Sequence, residues 1–169
     1  MKYLLLLAAI CFFNVVIAQD KANRPSPPVT VTQTLKNGAI VTINYGQPSV
    51  KGRTIGKDLE PMEGKIWRTG ANEATTFEVD RDVEIEDQKL PAGKYALFTM
   101  KNGEDWTIIF NKTWNQWGAY NYKEADDALR VKVENEDTKE FAEKLSFMIE
   151  KDGEVKLMWG NHLVEFEIE

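Results

Sequence analysis

Sulfur chemistry is nearly absent from this chain. Its single cysteine, Cys11, falls within the first eighteen residues, so everything beyond Ala18 has no thiol and no possible internal disulfide. That part must hold together by core packing alone, whatever the redox state around it. Histidine is as scarce, with His162 the only one. One imidazole among scattered carboxylates does not make a zinc site, which needs three or four ligands at recognisable spacing. A Ser-His-Asp arrangement would have to use His162, and neither Ser49 nor Ser146 sits in a Gly-x-Ser-x-Gly elbow. Asp80-Arg81-Asp82 and Asp126-Asp127 lack the alternating oxygen ligands and central glycine of an EF-hand loop. Positive charge is in deficit: 21 Lys and Arg face 27 Asp and Glu, a formal charge of −6. That sign is wrong for non-specific binding to nucleic acid or to an anionic membrane. No motif asks for a metal or cofactor. The many acids offer carboxylate pairs for glycoside hydrolysis, but their separation is a structural quantity.

Long apolar runs are also missing, except at the start. Tyr3 to Ile17 is apolar but for Asn14, follows Lys2, and ends in Val16-Ile17-Ala18. This is the pattern of a secretory signal peptide over residues 1–18, cleaved after Ala18. The run is short for a membrane span, which needs about 20 residues. Ile10, ahead of Cys11, is bulkier than the small residue that precedes a lipidated cysteine. The expected destination is the periplasm or the extracellular space, with no membrane insertion after cleavage. Gln19 to Pro28 is polar with Pro25, Pro27 and Pro28 near its end, the composition of a disordered tether. A single domain is expected over residues 29–169, a length sufficient for a real core.

From Val29 the hydrophobic period is two. Val29, Val31 and Leu35 alternate with threonines, and Val41, Ile43 and Tyr45 follow Lys36-Asn37-Gly38. A three-residue loop, with Gly38 left-handed, sets Leu35 opposite Ala39 and Val31 opposite Ile43, so that all apolar side chains share one face. Lys151-Asp152-Gly153 repeats the device, with Ile149 against Val155, Phe147 against Leu157 and Leu145 against Trp159. The same logic at Lys101-Asn102-Gly103 predicts Phe98 against Trp106 and Ala96 against Ile108. Further strands are expected at Lys65–Arg68, Thr75–Val79, Val83–Ile85, Leu129–Val133 and Leu163–Glu169. Turns are expected at Thr69–Ala74, Leu90–Gly93 and Gly160–His162, a helical turn at Lys123–Ala128, and a short helix capped by Thr138 over Glu136–Lys144. About nine short strands and almost no helix predict an all-β, antiparallel β-sandwich of jelly-roll type. Gly93 to Tyr122 organises it: a hairpin apolar on both faces, hence central, running into a long aromatic loop.

Three stretches, GQPSVKGRTI (46–55), KIWRTGANEATTFEVDRDVEIEDQKLPAGKYALFT (65–99) and WTIIFNKTWNQWGAYNY (106–122), closely resemble a family of small secreted bacterial proteins. That family is catalogued as a domain of unknown function, twenty-nine eleven in its series. The resemblance spans essentially all of the chain after the apolar N-terminal run. It implies an exported β-rich domain and brings no assigned activity or catalytic residues. Residues 56–65 depart from the family's pattern, placing Met62 where an aromatic is expected.

Two clusters carry candidate chemistry. Trp114, Gln116, Trp117, Tyr120, Asn121 and Tyr122 interleave rings with amides, which suits the C–H faces and hydroxyls of a sugar. Alternatively, Trp114 and Trp117 plug the open end of the sandwich. Arg53, Trp67, Arg68, Thr69, Asn72 and Glu73 combine two guanidinium forks with a tight turn, which suits a carboxylate or phosphate. Alternatively, Arg68 pairs with Glu73 across the turn and Asn72 holds its backbone. The sequence therefore predicts a ligand-binding module for a glycan, envelope polymer or small metabolite. A hydrolase using Glu73 beside Arg68, or an envelope assembly protein docking through the aromatic loop, are the alternatives.

Overall fold

The computed structural model describes residues 23–169; the predicted signal peptide and residues 19–22 of the predicted tether lie outside them. Ten strands follow one another: β1 (Pro28–Thr34), β2 (Ile40–Gly46), β3 (Ile66–Trp67), β4 (Ala71–Val79), β5 (Val83–Ile85), β6 (Gln88–Leu90), β7 (Gly93–Asn102), β8 (Asp105–Asn111), β9 (Asp127–Ile149) and β10 (Val155–Phe166). A short 3-10 turn, Glu124–Asp126, stands where a helical turn is expected. The fold is all-β and antiparallel. One sheet runs β1-β2-β4-β7-β8-β9-β10 with β3 on the edge of β7, and β5-β6 forms a small ribbon.

The expected two layers are halves of that one sheet, rolled almost into a barrel. β9 makes the roll possible. Its first part pairs with β8, from Asp127 to Glu134, and its later part pairs with β10. That later part curls back to the first strands. Lys36 N donates to Lys151 O (2.7 Å), Gln33 Nε2 to Ile149 O (3.2 Å) and Val50 N to Glu143 O (2.9 Å), and Ser49 bridges Lys144. The seam at the other end is closed by residues 167–169. Ile168 bridges Ile85 and is buried, while Glu84 and Glu169 exchange backbone hydrogen bonds of 2.9 Å.

Two of the three loops of shared turn chemistry place their strands as expected. Val31 faces Ile43, Leu35 N donates to Ala39 O, and Gly38 has φ 85. Val155 faces Ile149 and Leu157 faces Phe147. The β7–β8 hairpin differs. Phe98 faces Ile109, Ala96 faces Asn111 and Lys101 faces Trp106, around a two-residue Gly103-Glu104 turn. Glu63 stabilises that turn by accepting from the Gly103 N–H and from Lys101 Nζ. The reason is physical: alternation fixes register only where one face is polar, and these strands are apolar on both.

The shift separates two cores. Tyr95, Leu97, Trp106, Ile108 and Phe110 face the inside of the roll, with Phe77, Phe147, Trp159 and Phe166. Ala96, Phe98 and Ile109 face outward with Ala74, under Ile66, Ala119 and Tyr122. Phe77, Phe98 and Phe110 are fully buried, each contributing about 1.5–3 kcal/mol. β7 and β8 are thus central and covered on both sides, as the sequence predicts.

Three other expectations are corrected. Glu136–Lys144 is strand, not helix. Its backbone finds partners in β10, with Asn135 facing Val164 and Ala142 facing Gly160, and Thr138 Oγ1 accepts from Glu140 N within the strand instead of capping a helix. Gly160–His162 is not a hairpin turn but a bulged stretch inside β10, where the register with β9 shifts twice. The Thr69–Ala74 turn is cut short, because β4 begins at Ala71 with Thr69 and Asn72 at φ 53 and 66.

Candidate functional site

The aromatic loop leaves β8 after Asn111 and crosses the outer core. Asn111 is buried and ties both ends of the loop together. Its Nδ2 donates to Lys123 O (3.0 Å) and Asp127 Oδ1 (2.8 Å), and its Oδ1 accepts from Thr113 N (2.9 Å). Tyr122 stacks edge-on against Phe98 with centroids 5.1 Å apart and donates its hydroxyl to Asp127 Oδ2 (2.7 Å). Burial, reinforced by that carboxylate, holds the Tyr122 phenol well above its ordinary range. Gln116 is buried, and its Nε2 donates to Thr113 O. The loop is then laid along the start of β4: Trp117 bridges Glu73, Ala74 N donates to Gln116 O and Gly118 N to Asn72 O, both 3.0 Å.

This anchoring divides the ring-bearing residues. Tyr122 and Gln116 belong to the packing. Trp114, Trp117 and Tyr120 stand 41%, 53% and 82% exposed, so the two indoles do not plug the roll. Lys94 Nζ sits 4.8 Å from the Trp114 ring centroid, and Arg24 Cζ lies 5.9 Å from that of Trp117. Arg24 also grips Glu73, with Nη1 2.8 and 3.0 Å from its carboxylate oxygens. Asn72 Nδ2 donates to Ser26 O (2.9 Å), which holds this N-terminal segment beside the loop.

The second cluster lies next to the first, because the Glu73–Trp117 bridge brings Gly118 and Tyr120 over Arg68. A Cβ built on Gly118, at φ 63, would fall 3.1 Å from Arg68 Nη1 and 3.0 Å from the Tyr120 ring. Glycine therefore lets guanidinium and phenol stand side by side. Trp67 is buried, with Nε1 donating to Gly70 O (3.1 Å). Arg53 braces its own connection, with Nε on Val50 O (3.1 Å) and Nη2 on Ser49 O (2.7 Å). Arg68 is half-buried and, among the described residues, makes no ion pair with Glu73; its buried Nε has no hydrogen-bond partner.

Arg68 lines two adjoining clefts. One, of about 500 Å³, is bounded by Met62, Lys65, Ile66 and Tyr120. The other, of about 180 Å³, is bounded by Arg53, Pro48, Ala71 and Trp159. Glu60, Trp67 and Arg68 belong to both. Glu73 lines neither; it faces a separate depression with Arg24, Asn44 and Tyr45. Sequence reasoning missed Arg24, Glu60, Lys65 and Lys94. Arg24 and Lys94 reach the site across contacts distant in sequence, to Glu73 and Trp114, while Lys65 simply precedes the strand that carries Trp67. Among the described residues no group of three or more His, Cys, Asp or Glu is placed to hold a metal, and no helix is long and apolar enough to cross a membrane.

One family model, described as a protein of unknown function (DUF2911), matches residues 26–168. No curated protein and no solved structure matches the chain.

Proposed function

We propose, for a chain that belongs to the DUF2911 family of proteins of unknown function, a binding role: an exported module that holds a ligand against its ring-bearing loop. Export rests on the signal-peptide pattern of residues 1–18. Binding rests on a single observation, that Trp114, Trp117 and Tyr120 are held in water by a loop whose own structure is fastened down. Large exposed rings are costly to leave uncovered unless they meet a partner. Rings already fixed in place lose little freedom when they do. The neighbouring amides and cations suit a ligand with hydroxyls, so a glycan, an envelope polymer fragment or a sugar-like metabolite fits this surface.

The test is retention in affinity gels cast with soluble polysaccharides, together with glycan-array binding of the same protein. Trp117→Ala and Tyr120→Ala are expected to weaken retention while leaving the near-ultraviolet circular dichroism of the buried rings in place. Retention unchanged in both folded variants sinks the reading.

A further inference from the structure

The arginines of the described chain are employed, with one exception. Arg24 holds Glu73, Arg53 its own loop carbonyls, Arg81 the carboxylate of Asp80, and Arg130 those of Glu124 and Asp127. Arg68 has no such partner, and its Nε–H is buried. Removing a charged donor from water without a replacement acceptor is costly, so the fold sustains an expense here that no internal contact offsets. The side chain lies at the junction of the two clefts. Arg53 and Lys65 bring further positive charge, and the opposing carboxylate, Glu60, is engaged by the Met62 N–H at 2.7 Å. A locally cationic cleft on a chain of net charge −6 is not a by-product of composition.

We infer that Arg68 anchors an oxyanion, a carboxylate or phosphate carried by a small organic body. The planar fork receives it through paired hydrogen bonds, as guanidinium groups bind these anions. The remainder of the ligand lies along the 500 Å³ cleft against Ile66, Met62 and the Tyr120 ring. That volume falls within the range of small-molecule sites, about 300–1,000 Å³. The inference rests on the binding role proposed above and narrows its ligand to an acidic one, such as an acidic sugar.

The experiment follows the Arg68 side-chain Nε–H resonance of the ¹⁵N-labelled, processed chain during titration with glucuronate, inorganic phosphate and neutral glucose. Glucuronate is expected to move the resonance saturably and glucose to leave it in place. A response to phosphate alone assigns the site to phosphoryl groups, and a response to glucuronate alone to carboxylates. Arg68→Lys, which keeps the charge and loses the fork, is expected to weaken binding by about tenfold or more. Arg53→Gln controls for general charge, with an effect smaller than that. Failure of both anions to move the resonance at tens of millimolar overturns the anion site. Neutral oligosaccharides still shifting the Trp117 indole in that case would leave the aromatic-loop reading standing. Silence from every probe overturns both.

Discussion

At the scale of single residues, Tyr122 shows how the site borrows from the fold. Its ring covers Phe98 and its hydroxyl closes on Asp127, whose side chain is almost entirely buried. The phenols of Tyr45, Tyr95 and Tyr122 are all raised above their ordinary range, chiefly by burial. A phenol that keeps its proton longer in the folded state binds more protons there than in the unfolded state at alkaline pH. Its contribution is therefore complete below about pH 10 and is lost as pH rises beyond it. Lys156, raised by Glu154 and Glu165, acts in the same direction. Urea unfolding at stepped pH should show stability falling from about pH 10 upward. Tyr122→Phe should be less stable at neutral pH by about 1–3 kcal/mol, since Asp127 loses a donor, and should show a shallower alkaline fall. At this scale the rings at 114–122 were legible because aromatic density is a local property. The idle fork of Arg68 was not, because its idleness depends on Glu73 being taken by Arg24 from far along the chain.

At the scale of elements, the outer faces of β7 and β8 are the platform on which the loop rests. Ile109 is fully buried there beside Phe98 and Ala96. Ile109→Ala should cost about 2–5 kcal/mol. Because the cavity opens beneath the loop, amide exchange at Gly118 and Tyr122 should accelerate more than at Val31 or Ile43, which lie across the sheet. Equal acceleration throughout would mean that loop and sheet open as one unit. Where one face is polar, in β1–β2 and in the part of β9–β10 next to its loop, the register was readable, since a slipped register would bury threonines or lysines. β7–β8 offered two apolar faces and no such penalty, and there the turn chosen by Glu63 decides. The Glu136–Lys144 stretch misled for a related reason. Its helix-compatible composition is overridden by a partner strand that only the folded chain supplies.

At the scale of the whole molecule, one rolled sheet without disulfides should unfold from its seam. The β7–β8 pair has neighbours on both sides and cover on both faces, while β1 lies at one edge of the sheet order and the later half of β9 is paired only to β10 and the contacts that close the roll. Native-state hydrogen exchange should therefore find its slowest amides at Leu97, Phe98, Ile108 and Ile109, and markedly faster ones in residues 135–144. Slow exchange in 135–144 equal to that of the centre would show the closure to be as strong as the core. The all-β class was visible in the period of two and the repeated turn chemistry. The near-closure was not, because it depends on a 23-residue strand serving two neighbours in succession, and sequence marks no boundary inside it.

The seam also has a temporal meaning. Ile168 is sealed against β5, and Phe166 meets Phe110 with centroids 6.1 Å apart, so the inner wall is finished by residues made after every strand they close on. Until they exist, Phe110 lacks the ring that covers it, and a growing chain carries an unfinished inner wall.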